Sequence, residues 1–247
     1  MSNTKEGISI ILPVRNESSA LPEVITKIFQ TFENRYKFEI VIVDDNSNDY
    51  NFNEYKNLIS SENIILISLN KNSGQSRAID IGIKNSKYEF IFVLDSDGQI
   101  DPADFLKIED LLNNEIFIFE GLVIGDRTKN RKDSLIRKFA SNFAKKCRKF
   151  ILSDELSDSG CGFRYFKKTQ YLSLPYFNNM HRYLHLLFKR DGYDVMQVDI
   201  KHYNRQYGIS KYGNIDRLID GIFDIFGVLW LLKRKKIIEY KKINLNE

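Results

Sequence analysis

The sequence predicts an α/β protein: a mostly parallel sheet with helices on both faces, followed by a C-terminal amphipathic helical appendage. Three observations predict it. Short apolar runs alternate with stretches of helical periodicity through the first half of the chain. Two of the runs end in acidic clusters, Asp44-Asp45 after Phe38–Val43 and Asp95-Ser96-Asp97 after Phe90–Leu94. The segment Ile215–Leu232 reads as a helix that becomes apolar all round at its end and runs into Lys233-Arg234-Lys235-Lys236.

Each element has its own signal. Ile8–Val14 reads as a buried strand ended by Pro13 and the polar residues after it. Leu21, Val24, Ile25, Ile28, Phe29 and Phe32 then recur at helical spacing. Pro22 falls in the first turn, where it is tolerated, and Ser18 or Ser19 serves as a cap. Phe38–Val43 is the second strand. A polar link and a short helix near Tyr55–Ser60 lead to a third strand, Ile64–Leu69. Gln75–Lys84 predicts a helix, Phe90–Leu94 a strand, Asp104–Leu112 a helix and Phe117–Ile124 a strand. The second half differs. Leu135–Ile151 predicts a long basic helix with Ile136, Phe139, Ala140, Phe143, Ala144 and Cys147 on one face. Ser157–Lys168 reads as a loop and short strand, and Tyr193–Ile200 as another strand. No repeat or linker interrupts the chain. We therefore expect a catalytic domain over residues 1–212, with halves of about 1–126 and 127–212, and an appendage over 213–247.

With 247 residues and 43% hydrophobic content, the chain suits one large domain with an appendage. A net charge of +4 is too mild to imply nucleic acid. The charge is uneven, however. Ten Lys and Arg residues crowd Arg127–Lys149, and four more stand at 233–236. Such runs fit a solvated helix face or an anionic surface. The two cysteines lack metal-site spacing and fit a reducing compartment. The polar N-terminus predicts no secretory leader. Ile225–Leu232 is far short of the roughly 20 apolar residues that span a bilayer.

The acidic clusters carry the chemistry. In an open α/β sheet, ligands collect beyond the carboxyl ends of the strands. Carboxylates there repel a phosphate but can hold Mg²⁺ or Mn²⁺, which in turn binds phosphate oxygens. Asp97 and the amide oxygen of Gln99 are hard donors suited to such an ion, with Asp95 beside them. The same residues also suit a turn, since Asp and Gly favour turns and Asp101-Pro102 follows. One carboxylate of Asp44-Asp45 can accept hydrogen bonds from a ribose or base, although Asn46 and Ser47 also suit a cap or turn. The dinucleotide fingerprint and the P-loop are both missing. His181, His185 and His202 match no zinc spacing.

Leu12-Pro13-Val14-Arg15-Asn16-Glu17, Val43-Asp44-Asp45-Asn46-Ser47, Asn72-Ser73-Gly74 and Leu94-Asp95-Ser96-Asp97-Gly98-Gln99 resemble, in order and spacing, the nucleotide-binding half of family 2 glycosyltransferases of the GT-A fold. Ile124-Gly125-Asp126-Arg127, Arg137 with Ser141, Asp158–Arg164, His181-Arg182-Tyr183 and His202–Tyr212 narrow the resemblance to polyprenyl-phosphate glycosyltransferases, of the dolichyl-phosphate mannose synthase kind. The resemblance runs from Ile8 to the C-terminal helix. It departs from many relatives in Ser96 and Gly98 around the metal Asp, and in having no transmembrane helices after the catalytic domain.

The resemblance implies inverting transfer of a sugar from a UDP- or GDP-linked donor to a polyprenyl phosphate, with Mg²⁺ or Mn²⁺. It implies donor contacts from Pro13, Arg15, Glu17, Asp45, Asp95, Arg127, Arg137, Ser141, Arg205 and Lys211. Catalytic roles would fall to Asp95, Asp97, Asp158 and Arg205, and metal ligation to Asp97 and Gln99. The nucleophile, a phosphate monoester with a second pKa of about 6, needs no strong base. Asp158 is therefore expected to orient or control charge. Phe226, Trp230, Lys233, Arg234, Lys235 and Lys236 read as a membrane-surface segment, although Trp230 with Phe223, Phe226, Leu229 and Leu232 also suits core packing. The expected location is the inner face of the cytoplasmic membrane, with room for a homo-oligomer or a membrane-protein partner. Two rival readings are a family 2 enzyme that glycosylates a saccharide hydroxyl in cell-envelope glycan synthesis, and a non-catalytic nucleotide-sugar-binding membrane scaffold.

Overall fold

Strands β1 (Ile8–Val14) and β2 (Phe38–Asp44) are buried at every position, which follows from a sheet covered on both faces. A computed structural model describes residues 7–49, 62–128, 149–204 and 214–234. Among these, β3 (Ile64–Ser68), β4 (Phe90–Val93), β5 (Gly121–Asp126), β6 (Arg164–Lys167) and β7 (Asp194–Asp199) complete one sheet in the order β3-β2-β1-β4-β6-β5-β7. Every pairing is parallel except those of β6, which runs antiparallel to β4 and β5.

The strand alternation splits the apolar residues into two cores. Ile8, Ile10, Leu12, Ile40 and Ile42 face one layer, closed by α1 (Leu21–Phe32) and α3 (Leu106–Leu111). Ile11, Val41, Val43 and Val93 face the other, closed by α2 (Gln75–Asn85) and α5 (Leu184–Arg190). Gly82 lets α2 press on the sheet, because a Cβ there would lie 2.6 Å from Ile11. Pro13 is tolerated in a central strand because β4 pairs with β1 only as far as Ile11.

Several expectations need adjustment. The strand expected over Phe117–Ile124 begins only at Gly121, because residues 116–118 form a turn. That turn still buries Ile116, and its Phe117 ring packs edge-on against Phe90. The helix expected from Asp104 opens as a 3₁₀ turn, Pro102–Phe105, whose N-cap Asp101 side chain accepts from the Ala103 N–H. Two short helices, α4 (Lys168–Leu172) and α5, were not expected. Both are shorter than a reliable helical period. Tyr55–Ser60 and most of Leu135–Ile151 lie outside the described residues.

The C-terminal helix α6 (Asn214–Arg234) divides its apolar residues between two faces. Val228 is fully buried against Leu152, Tyr183 and Leu186, with Ile225, Leu229 and Leu232 packed on the same cluster. Phe223, Phe226 and Trp230 point outward and are more than half exposed. Core packing, expected of Trp230 with Phe223, Phe226, Leu229 and Leu232, therefore holds only for Leu229 and Leu232, because the three aromatic residues stand on the opposite face of the helix. Among the described residues, no helix is long and apolar enough to cross a membrane.

Candidate active site

The chain leaves β1 toward β2 and β3, then returns to place β4 on the other side of β1. That reversal opens a crevice at the carboxyl ends of β1, β2 and β4. Both acidic clusters stand on its rim.

The first cluster is tied into backbone. Asp44 accepts from the Ser47 N–H at 3.1 Å and from the Ser68 hydroxyl at 3.3 Å. Asp45 accepts from the N–H groups of Ser73 (2.6 Å) and Gly74 (2.9 Å), so it pins the loop that enters α2. Gly74 takes φ +86°, a left-handed conformation that glycine adopts without strain. Arg15 donates to the carbonyls of Asp45 and Asn46, stapling the β1–α1 loop to the β2 loop. Asn16 strengthens the staple: its N–H donates to the Ser47 hydroxyl and its side-chain oxygen accepts from the Asn48 N–H. The Glu17 carbonyl accepts from Ala20 and Leu21 at the start of α1.

The second cluster carries its charge differently. Ser96 is buried, and its hydroxyl donates to the Pro13 carbonyl at 2.9 Å, which fixes the loop to β1. Asp95 accepts a hydrogen bond from the Gln75 side chain at 2.9 Å. The backbone of Gly162 lies directly on the Asp95 carboxylate; a Cβ at Gly162 would sit 2.0–2.1 Å from its atoms. Burial, and then the charge of Asp97, push the Asp95 carboxyl above its ordinary range, while Arg127, Arg164 and the Gln75 bond oppose the rise. Asp97 accepts from the Gln99 N–H at 3.1 Å across Gly98, which has φ +72°. The Gln99 side-chain nitrogen donates to the Tyr203 carbonyl (3.1 Å) and the Tyr203 N–H to the Gln99 carbonyl (2.8 Å). The chain that leads into Arg205 is therefore tied to the loop of Asp97.

A third carboxylate, Asp158, is tied to the residue that follows the carboxyl end of β5. Asp158 is buried, and Arg127 grips it with a two-pronged fork, Nε at 2.7 Å and Nη2 at 3.0 Å. Burial works against the Arg127 charge, but the fork more than offsets it and keeps the guanidinium protonated. Neighbouring Asp126 accepts from Thr128 and Ser157, and these bonds outweigh partial burial and hold its carboxyl below the usual range. Cys161 is fully buried, and burial pushes its thiol up to about 12, so it is no nucleophile.

The structure thus gathers Pro13, Arg15, Asp45, Asp95, Asp97, Gln99, Arg127 and Asp158 at one edge of the sheet. Arg137, Ser141, Arg205, Lys211, Lys235 and Lys236 lie outside the described residues. Four further residues bear on the site without having been assigned a role: Gln75, Gly162, Arg164 and His181. The Ser76 hydroxyl and the His181 ring pair at 2.6 Å, joining the first turn of α2 to the loop before α5. Register could have revealed Arg164, since it shares a strand face with Phe166 and sits at a core position.

Among the described residues, no three His, Cys, Asp or Glu side chains form a metal cluster. His181 pairs with Ser76, and His185 with buried Asp154 at 2.9 Å. Asp97 and the Gln99 amide oxygen instead fit the sparse protein ligation that Mg²⁺ prefers, in which substrate phosphates and water complete the shell.

The family model described as glycosyl transferase family 2 matches residues 9–171. The chain belongs to this family. It is similar to an undecaprenyl-phosphate 4-deoxy-4-formamido-L-arabinose transferase of Shewanella sediminis, with 28% identity over 88% of this chain and 65% of that protein. The transferase of the same description from Proteus mirabilis is 27% identical over 90% of this chain and 67% of its own length. The chain thus spans about two-thirds of the length of these relatives. Mannosyl-3-phosphoglycerate synthase from Rubrobacter xylanophilus shares the fold, with a TM-score of 0.68, 14% identity and coverage of 93% of this chain and 74% of that one. So does glucosyl-3-phosphoglycerate synthase from Mycobacterium tuberculosis, solved with Mn²⁺, UDP-glucose and phosphoglyceric acid (TM-score 0.62, 17% identity, 92% and 79% coverage). The architecture is GT-A.

Proposed function

We propose that this protein is an inverting, metal-dependent glycosyltransferase that moves a sugar from a nucleoside diphosphate to a polyprenyl phosphate at a membrane surface. The observation that carries the reading is the Asp95–Gln99 loop at the carboxyl end of β4, facing the Asp45-pinned loop across the topological switch point. Support for the donor and acceptor comes from the family and from the undecaprenyl-phosphate acceptor for which the similar transferases are named.

The residues would divide the work as follows. The crevice between the Asp45 and Asp95 loops binds the donor, with Asp45 and Arg15 at its nucleoside end. Asp97 and Gln99 would hold Mg²⁺ or Mn²⁺, which supplies charge neutralisation to the departing diphosphate. An acceptor phosphate oxygen attacks the anomeric carbon as the bond from that carbon to the nucleoside diphosphate breaks, inverting its configuration. At neutral pH that oxygen is already ionised. Asp158 has no proton to take: with both its oxygens in the Arg127 fork, it fixes the guanidinium beside the site. This arrangement favours a phosphate acceptor over a saccharide hydroxyl, which needs a base. Arg137, Arg205 and Lys211 are proposed as further phosphate contacts.

Phe223, Phe226 and Trp230 form an outward apolar face on α6 that ends beside the exposed Lys233 and Arg234. Lys235 and Lys236 extend the basic end. Such a face suits the headgroup region of an anionic bilayer and would bring the crevice to a lipid phosphate.

A panel of UDP- and GDP-sugars with a polyprenyl phosphate in detergent and Mg²⁺ or Mn²⁺ tests the chemistry. Transfer to the lipid is expected from one donor class, and none with the metal chelated. Equal product with EDTA would remove the metal from the reading. Sedimentation with anionic vesicles tests the surface. Binding should fall as salt rises, since each basic residue contributes about 1 kcal/mol near an anionic surface, and it should fall again in Trp230→Ala. A wild-type protein that stays in the supernatant at low salt defeats the membrane part.

A further inference from the structure

The first turn of α2 has no cap of its own: Gly74 stands at the N-cap and offers no side chain to the first N–H groups. Three other parts of the molecule hold the turn instead, through four consecutive residues. The N–H groups of Ser73 and Gly74 donate to Asp45, just beyond β2. The Gln75 side chain donates to Asp95, beyond β4, at 2.9 Å. Ser76 is buried and meets His181, whose Nδ1 lies 2.6 Å from the hydroxyl oxygen and whose backbone N–H donates to that oxygen at 3.2 Å. Residues 73–76 thus bridge the two acidic loops of the crevice, and Ser76 ties the bridge to the second half of the chain.

His181 stands on a fixed base. It belongs to the single 3₁₀ turn Met180–Arg182. Met180 is buried in the core layer that α2 closes. Asn179, left-handed at φ +64°, donates its side-chain N–H to Asp224 of α6 at 3.0 Å. Core packing on one side and α6 on the other therefore fix the turn, and the His181 bonds pass that position on to Ser76. Groups held in this way by packing and by a second layer of hydrogen bonds are what keep a binding site in register. A displacement of about 1 Å, caused by a change remote from the chemistry, can cost on the order of a hundredfold.

We propose that His181 is a positioning residue for the donor crevice: through Ser76 it holds the first turn of α2, and so sets the spacing of the Asp45 and Asp95 loops between which the nucleoside diphosphate binds. This role rests on the proposed function above, and in it His181 touches neither donor nor acceptor.

Calorimetric titration of UDP and of GDP in Mn²⁺ tests it, alongside thermal melting and the donor and acceptor KM of each variant. His181→Phe keeps a ring but loses the nitrogen that faces Ser76. It is expected to lose roughly tenfold in nucleotide affinity, about 1.4 kcal/mol, and to raise the donor KM while the acceptor KM stays close to wild type. His181→Asn, whose amide reaches the place of Nδ1, should recover most of the loss. Ser76→Ala should lose at least as much as His181→Phe, and the double variant no more than Ser76→Ala, because the two residues act through one contact. Wild-type nucleotide affinity in His181→Phe overturns the inference, whether or not the melting temperature falls. Additive losses in the double variant overturn it too, as does a rise confined to the acceptor KM. Should His181→Phe fail to fold, Ser76→Ala carries the test, and wild-type affinity in that variant overturns the inference equally. A wild-type protein that binds neither nucleotide overturns the proposed function, and the inference falls with it.

Discussion

Asp44-Asp45 and Asp95-Ser96-Asp97 look alike in sequence, each an acidic cluster at the end of a buried strand, yet the fold uses them oppositely. Asp45 has its two oxygens on backbone N–H groups of Ser73 and Gly74. Its charge is absorbed by the protein, and what the protein receives in return is a fixed loop. Asp95 receives one side-chain hydrogen bond and faces the charge of Asp97. Its loop carries an excess of negative charge that a bound cation would relieve. A carboxylate answered by amides builds structure, whereas neighbouring carboxylates whose charges oppose each other build a ligand site.

The sharpest way to break this contrast is Asp97→Asn. The substitution keeps size and the turn with Gln99 but removes charge from the proposed metal ligand. Turnover in the donor panel should fall by orders of magnitude with little change in melting temperature, since the amide oxygen of Asn still accepts from the Gln99 N–H. Activity within a few-fold of wild type would make the second cluster a turn like the first.

How much of this was legible beforehand differs between the two clusters. The strands, the alternation of helices and the sheet edge that carries both clusters follow from local patterns, and these local patterns survive folding. Register across the sheet does not follow from them. Nothing local says that β6 inserts antiparallel between β4 and β5, and only that insertion brings Gly162 onto Asp95 and Arg164 opposite Val93. The division of α6 into a packed and an outward face is likewise decided by where Tyr183 and Leu186 lie, more than thirty residues upstream. The fork between Arg127 and Asp158 joins residues 31 apart, so the sequence shows two site candidates where the structure shows one ion pair. Helices as short as α4 and α5 escape notice because one or two turns hold too few apolar residues to show a period.

Asp45→Ala should have the next largest effect, and of a different kind. It takes the charged acceptor from the N–H groups of half-buried Ser73 and exposed Gly74, at about 1 kcal/mol, because water can replace it in part. The melting temperature should fall by several degrees without nucleotide, and donor affinity should fall with it as the loop loosens. Loss of affinity with full stability would mean that Asp45 serves the ligand alone, and the contrast between the clusters would collapse.

The smallest expected effect has the opposite sign. A carboxyl whose folded-state pKa is raised is bound to a proton more readily in the folded chain than in the unfolded one. When ionised at neutral pH it therefore opposes folding, and the penalty fades as pH falls through the raised value. Asp95 is such a group, through burial and the charge of Asp97. Asp95→Asn removes the charge and keeps an oxygen for the Gln75 donor. In metal-free buffer at neutral pH the variant should melt a few degrees above wild type, in keeping with about 1 kcal/mol for a chain of this size. The gap should narrow as the pH is lowered toward the Asp95 value and close below it. Nucleotide affinity in Mn²⁺ should meanwhile drop sharply, so that one substitution raises stability and abolishes binding. A variant that melts below wild type at neutral pH would show that Asp95, like Asp45, is held by the protein for the protein's own sake.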